Sequence, residues 1–286
     1  MEKKLTAQGP KDRKSYTVTL PIEWVKSQHL DKTKIIMMKV VGSRVVLSTR
    51  KETLEHEVID GEAHSNSLIK VLQGLYRLGV NEIKITYKNP KVITAVSQIV
   101  NEKLIGYEVM EQKPNYLILQ DITRESSEDF EVILRRIFLL MMELMNCQEE
   151  TQTNSLFNNM KKLINYCQRI LAKWGSSDFL KTPFYYVLLD HLEKLGDEYS
   201  WINSLKIKDK NDLVTLKEIN LCARKAYELF YKFDASEYDH YEHQTYLIKH
   251  RITSSGHLTV FDLHLHNLAR VLNTIYGDIF VLGFKK

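Results

Sequence analysis

Cysteine is scarce in this chain: Cys147, Cys167 and Cys222 are the only three in 286 residues. They are too few and too widely spaced for a disulfide framework or a zinc-ligand motif, and they read as reduced core thiols of a cytoplasmic protein. Long apolar runs are also missing. The most apolar stretch, from Ile137 to Met145, contains Glu143 and is far shorter than the roughly 18–20 residues that span a bilayer. The opening Met-Glu-Lys-Lys-Leu-Thr has no apolar segment of the secretory kind. No Gly-rich phosphate loop, nucleophile elbow or zinc-protease motif occurs. These absences lead us to expect neither membrane insertion nor enzymatic turnover.

What is present is an ordinary globular composition, 44% hydrophobic and 27% charged, with charge distributed unevenly. Residues 1–51 carry twelve Lys/Arg against the four acids Glu2, Asp12, Glu23 and Asp31, a net charge of +8. The chain as a whole is only +4, which leaves the remaining 235 residues at −4. One basic block on a near-neutral body points to a polyanion-binding module.

Residue periodicity suggests an α+β multidomain chain in three parts, 1–52, 53–123 and 124–286. In the first, Tyr16-Thr17-Val18-Thr19-Leu20 is β-branched and aromatic, and Pro21 ends it and can open a helix over 22–30. Residues 34–41 and 44–48 then form a hairpin around Gly42-Ser43. So short a module buries little surface alone, and dimerisation is expected. In the second part, Ser65-Asn66-Ser67 can cap a helix carrying Leu68, Val71, Leu72, Leu75 and Leu78, with Gly79 as its stop. Strands follow at 82–87, 107–111 and 116–119, with a helix from Pro90, giving a small α/β layer. The third part is helical, with expected helices at about 126–147, 152–174, 182–206, 212–233, 238–252 and 258–283.

The first part, and above all the phrase Tyr16-Thr17-Val18-Thr19-Leu20-Pro21-Ile22-Glu23-Trp24-Val25, resembles the AbrB/MazE-like swapped-hairpin family of DNA-binding dimers. That resemblance implies half of a swapped-hairpin β-barrel, completed as a homodimer on double-stranded DNA. The chain departs from the family at Glu23, which stands near an expected base, and at Asp31-Lys32-Thr33-Lys34, which replaces a Gly-Asp turn. The best candidates for DNA contact are Lys11, Arg13 and Lys14 in the polar loop before the first strand, with Arg44 in the hairpin turn a further one. Arg13 also has the fork geometry to read guanine.

Six helices suggest two three-helix units, and a repeat appears at an offset of 76. Leu192-Glu193-Lys194-Leu195-Gly196-Asp197 aligns with Leu268-Ala269-Arg270-Val271-Leu272-Asn273. Residues four apart share a helix face, so Glu193 and Asp197 present two oxygens on one stripe, with Asp190 a turn earlier. In the second copy Asp262 and His266 fall on the corresponding stripe. The first copy resembles the Glu-Arg-Ile-Gly-Asp motif of PhoU, the regulator of phosphate uptake, and the chain as a whole resembles archaeal PhoU-domain proteins with an N-terminal AbrB-type domain. The resemblance implies that Glu193 and Asp197 bind a divalent or iron-type metal ion. It also implies a regulator of phosphate uptake whose helices contact a phosphate transporter or its sensor kinase.

Other clusters read more plainly. His240 with Asp239, Glu242 and His243 is interleaved by Tyr238 and Tyr241 and fits a polar surface helix, and Met141, Met142 and Met145 fit core packing. Two further readings stay open at this level. One is a metal-binding helical protein or metal-dependent enzyme merely dimerised by its N-terminus. The other is an autoregulatory antitoxin-like protein, against which the long helical body argues.

Overall fold

The computed structural model describes residues 2–10, 13–41, 44–48, 56–123, 129–147, 149–205, 210–254 and 258–283. It divides into two compact units, Met1–Glu52 and Thr53–Lys286.

In the first unit, β1 (Thr6–Gln8) pairs antiparallel with β2 (Ser15–Thr17), Thr6 facing Thr17. Pro21, extended at ψ 127°, precedes α1 (Ile22–Ser27). A single turn, α2 (Leu30–Thr33), follows where a plain turn was expected, and His29 and Lys34 on either side of it are both left-handed. β3 (Met37–Val41) and β4 (Arg44–Ser48) form the expected hairpin, with Val41 opposite Arg44; Gly42 and Ser43 lie outside the described residues. The first long strand is shorter than the sequence suggests, stopping at Thr17. Among the described residues the two ribbons form no closed barrel. Leu30 is the one buried apolar side chain described in this unit, while Ile35, Met38 and Val40 stand 69%, 68% and 67% exposed.

The second unit begins with a four-stranded sheet in the order β5-β6-β8-β7. β5 (His56–Asp60) runs parallel to β6 (Glu82–Thr86), and α3 (Leu68–Leu78) makes the crossover that parallel strands need. α4 (Lys91–Lys103) leads to the hairpin of β7 (Tyr107–Lys113) and β8 (Tyr116–Asp121). β5 escaped the sequence reading because it alternates half-buried and exposed residues over only five positions. Ser67 precedes α3 as expected but makes no side-chain cap hydrogen bond. Gly79 ends the helix at φ 92°, and a Cβ there would lie 2.8 Å from the Lys173 side chain. Leu72, Tyr76, Val96 and Val100 pack from the helices onto Ile83, Ile85, Leu117 and Leu119 of the sheet.

Six helices follow: α5 (Asp129–Met145), α6 (Glu150–Trp174), α7 (Thr182–Ser204), α8 (Lys210–Tyr231), α9 (Ala235–Thr253) and α10 (Val260–Gly283). α5, α6 and α7 pack together, as do α8, α9 and α10, and the α7–α10 seam joins the two sets. Gly196 on α7 permits close approach of α6: a Cβ there would fall 2.7 Å from the Phe157 ring. The equivalent position of the second copy holds a fully packed Leu272.

The expected boundary at 123/124 does not separate compact units, because α6 also packs on α3 and α4. The reason is largely one side chain. Arg169 of α6 is fully buried and donates to the carbonyls of Tyr76 and Val80 at 2.8 Å, at and just beyond the negative C-terminal end of α3. It also pairs with Asp121 Oδ2 at 2.5 Å and lies over the rings of Tyr76 and Tyr107. Burial raises the Asp121 carboxyl pKa, but hydrogen bonds from Thr123 and the Arg169 charge outweigh it and hold the group below the ordinary value near 3.8. Its ionised form therefore adds stability above that ordinary value, and the contribution is lost as pH falls through the lower folded value.

Arg169→Ala should cost about 3–5 kcal/mol in urea unfolding, since it strands a buried carboxylate. In Asp121→Asn the fall in stability below about pH 4 should be shallower than in the wild type. Gly196→Leu should lose about 1–3 kcal/mol by overpacking against Phe157. Its unchanged stability would show that α6 and α7 part freely there.

Candidate functional site

Two groups of side chains stand out, one in each unit. In the first unit, the chain leaving β1 turns at Gly9 (φ 102°), and the Arg13 amide donates to the Pro10 carbonyl at 3.0 Å. A Cβ at Gly9 would lie 2.6 Å from the Arg13 carbonyl oxygen, so this close turn requires glycine. The turn delivers Arg13 and Lys14, both exposed, to the start of β2, beside an exposed Tyr16. Neither cation is ion-paired with another described residue. Lys11 lies outside the described residues, and Arg44 is placed by its backbone alone, at the start of β4. Glu23 is exposed on α1. The arrangement offers cations unpaired among the described residues and an exposed aromatic ring to an anionic partner.

In the second unit, Glu193 and Asp197 lie on one stripe of α7, as their spacing requires. Each has a cation against it. Arg77 of α3 donates to Glu193 Oε2 at 3.2 Å, with both side chains three-quarters or more buried, and Lys161 of α6 donates to Asp197 Oδ1 at 3.0 Å. Asp190 pairs within its own helix, accepting from Lys194 at 2.6 Å. Asp262 belongs to a capping box: it accepts from the Thr259 amide and hydroxyl at 2.8 and 2.7 Å, and its own amide donates back to Thr259 Oγ1. Burial pushes the His266 imidazole below its ordinary value, and Arg270, Lys249 and His250 push it further. Asp262 of the expected second stripe is therefore engaged by its own helix cap.

Among the described residues no group of three or more His, Cys, Asp or Glu side chains is arranged to hold a metal ion. A divalent cation at Glu193 and Asp197 would have to displace Arg77 and Lys161 and then sit beside them. As placed, these residues do not fit a metal. Glu242 of the His240 cluster accepts instead from Asn273 at 3.0 Å, and His243 stacks on Tyr246. Cys147, Cys167 and Cys222 are free and buried; burial pushes the Cys222 thiol up to about 11 and Cys167 further still.

Sequence reasoning missed the cationic side of this region: Arg77 comes from α3, and Lys161 and Arg169 come from α6. It also missed two half-buried pairs across the α7–α10 seam, His191 with Asp278 at 2.7 Å and His264 with Glu198 at 2.6 Å. One local signal was available. Asn165, Gln168 and Arg169 are polar residues set among the closely spaced apolar residues Leu163, Ile164, Tyr166, Cys167, Ile170 and Leu171, and the whole of 164–171 is buried.

Comparison with protein-family models, with curated proteins and with solved structures found no match.

Proposed function

We propose that the chain is a dimeric DNA-binding regulator. Its basic N-terminal unit would grip duplex DNA and its helical body would serve as the sensor or partner-docking half. The observation that carries this reading is the pairing of two features in residues 1–52. The unit holds a net positive charge of +8 over residues 1–51, and among its described residues most apolar side chains are exposed and Leu30 alone is buried. The charge supports a polyanion partner. The exposed faces of the β1–β2 and β3–β4 ribbons support a second copy of the same unit, whose apolar residues would cover them.

Arg13 and Lys14 supply the phosphate contacts in this reading, with Lys11 in the same loop and Arg44 at the hairpin. The AbrB-like and PhoU-like resemblances of the sequence support a role in control of phosphate uptake, in which the body would dock on a phosphate transporter or its kinase. No helix among the described residues is long and apolar enough to cross a membrane.

The test is duplex DNA binding by the full chain at several salt concentrations. Replacing Lys11, Arg13 and Lys14 together by alanine should weaken binding and flatten the slope of log K against log salt by roughly two to three. An unchanged affinity and slope would remove these residues from the interface. Sedimentation of the full chain as a monomer at micromolar concentration would remove the dimer.

A further inference from the structure

We infer that Arg77 and Lys161 take the place of a metal ion at the Glu193/Asp197 stripe, making it a built-in ionic latch between the α/β layer and the helical body. Glu193 points toward α3 and meets Arg77, whose Nε also donates to Asn165 Oδ1 at 2.8 Å. Asn165 is fully buried on α6, and its Nδ2 donates to the carbonyl of Lys103 at the end of α4 at 3.0 Å. One continuous chain of hydrogen bonds therefore runs from α7 through α3 and α6 to α4. Beside it, the Lys103 ammonium donates to Asn158 Oδ1 at 2.6 Å, Lys161 reaches Asp197, and Lys162 donates to the Asn101 carbonyl at 2.7 Å.

The charges are mutually dependent. Burial lowers the pKa of the Lys103 amine, and so does neighbouring Lys161, while Glu102, Glu193 and Asp197 act in the opposite sense. Three cations thus converge on the stripe and the carboxylates hold them together. A metal ion would add two positive charges where three already stand, a repulsion that partial burial strengthens. The second three-helix unit supports the same reading. There Asn273 replaces Asp197 and is met by Glu242 rather than a lysine, and Ala269 replaces Glu193 and is fully buried. In both units the middle helix supplies the polar partner of the third, and neither contact calls for a metal. β5 of the α/β layer is the first described element after the N-terminal unit in the chain. The latch therefore lies on the covalent route between that unit and the helices.

Thermal melting of the full chain, with and without EDTA or added manganese(II), tests this, together with elemental analysis of the purified protein. Glu193→Gln should lower Tm by about 3–8 °C, equally with and without manganese. Wild type should carry well under one metal per chain and melt unchanged in EDTA. Asp190→Asn, whose partner is on its own helix, should melt like the wild type. If Glu193→Gln does not fold, Lys161→Gln, at the more exposed pair, should show the same metal-independent loss on a smaller scale. About one metal per chain, with EDTA lowering the wild type to the Tm of Glu193→Gln, would overturn the proposal. So would a Glu193→Gln protein as stable as the wild type.

Discussion

The second unit depends on a guanidinium with no access to water. Arg169 is long enough to reach from α6 to the C-terminal end of α3 and to the last residue of β8, adding a charged donor to the carbonyls of Tyr76 and Val80 and to the Asp121 carboxylate. A buried charge is costly, so the elements that neutralise it must arrive together. This is why the sheet, α3 and α6 form one body. Tyr76 and Tyr107, edge to face at 5.1 Å, close the site over the guanidinium. Their hydroxyls donate to the carbonyls of Ile105 and Val80.

Once α6 is fixed in this way, the placement of Glu193 and Asp197 follows. α7 packs on α6 with Gly196 at the closest approach, which turns the carboxylate stripe toward the cations that α3, α4 and α6 present. An arrangement that in isolation suggests two oxygen ligands becomes, in its surroundings, the acidic half of a charge-balanced seam. The internal repeat shows the same point by contrast. The second copy keeps the apolar positions and loses both acids, and its third helix is still held by its neighbours.

The long helices were legible in the sequence because most repeat their apolar positions at helical spacing over about three to seven turns, and loop residues punctuate them. The hairpin of the first unit was legible for the same kind of reason, alternation around Gly42-Ser43. β5 was not, being five residues of which only Val58 and Ile59 are apolar. The partners of the candidate carboxylates were not legible either. Arg77 lies 116 positions before Glu193, and Lys161 lies 36 before Asp197 on a different helix. Spacing along one helix reveals which residues share a face, but only packing reveals what that face meets. Asp262 differs, because its Oδ2 is taken within its own helix cap by Thr259, three positions earlier.

For the N-terminal unit the physical constraint is the reverse: too little is buried, and too much charge of one sign is left unpaired. Both deficits are met at once if two copies pair and their common surface lies along DNA, which is the account proposed for this chain. Amide hydrogen exchange on the full-length protein, with and without duplex DNA, tests that account most directly. It predicts slowed exchange on DNA binding across the Gly9–Lys14 loop and β2, with the amides around Arg169 unchanged. Protection confined to the helical body, with none in residues 1–52, would contradict it.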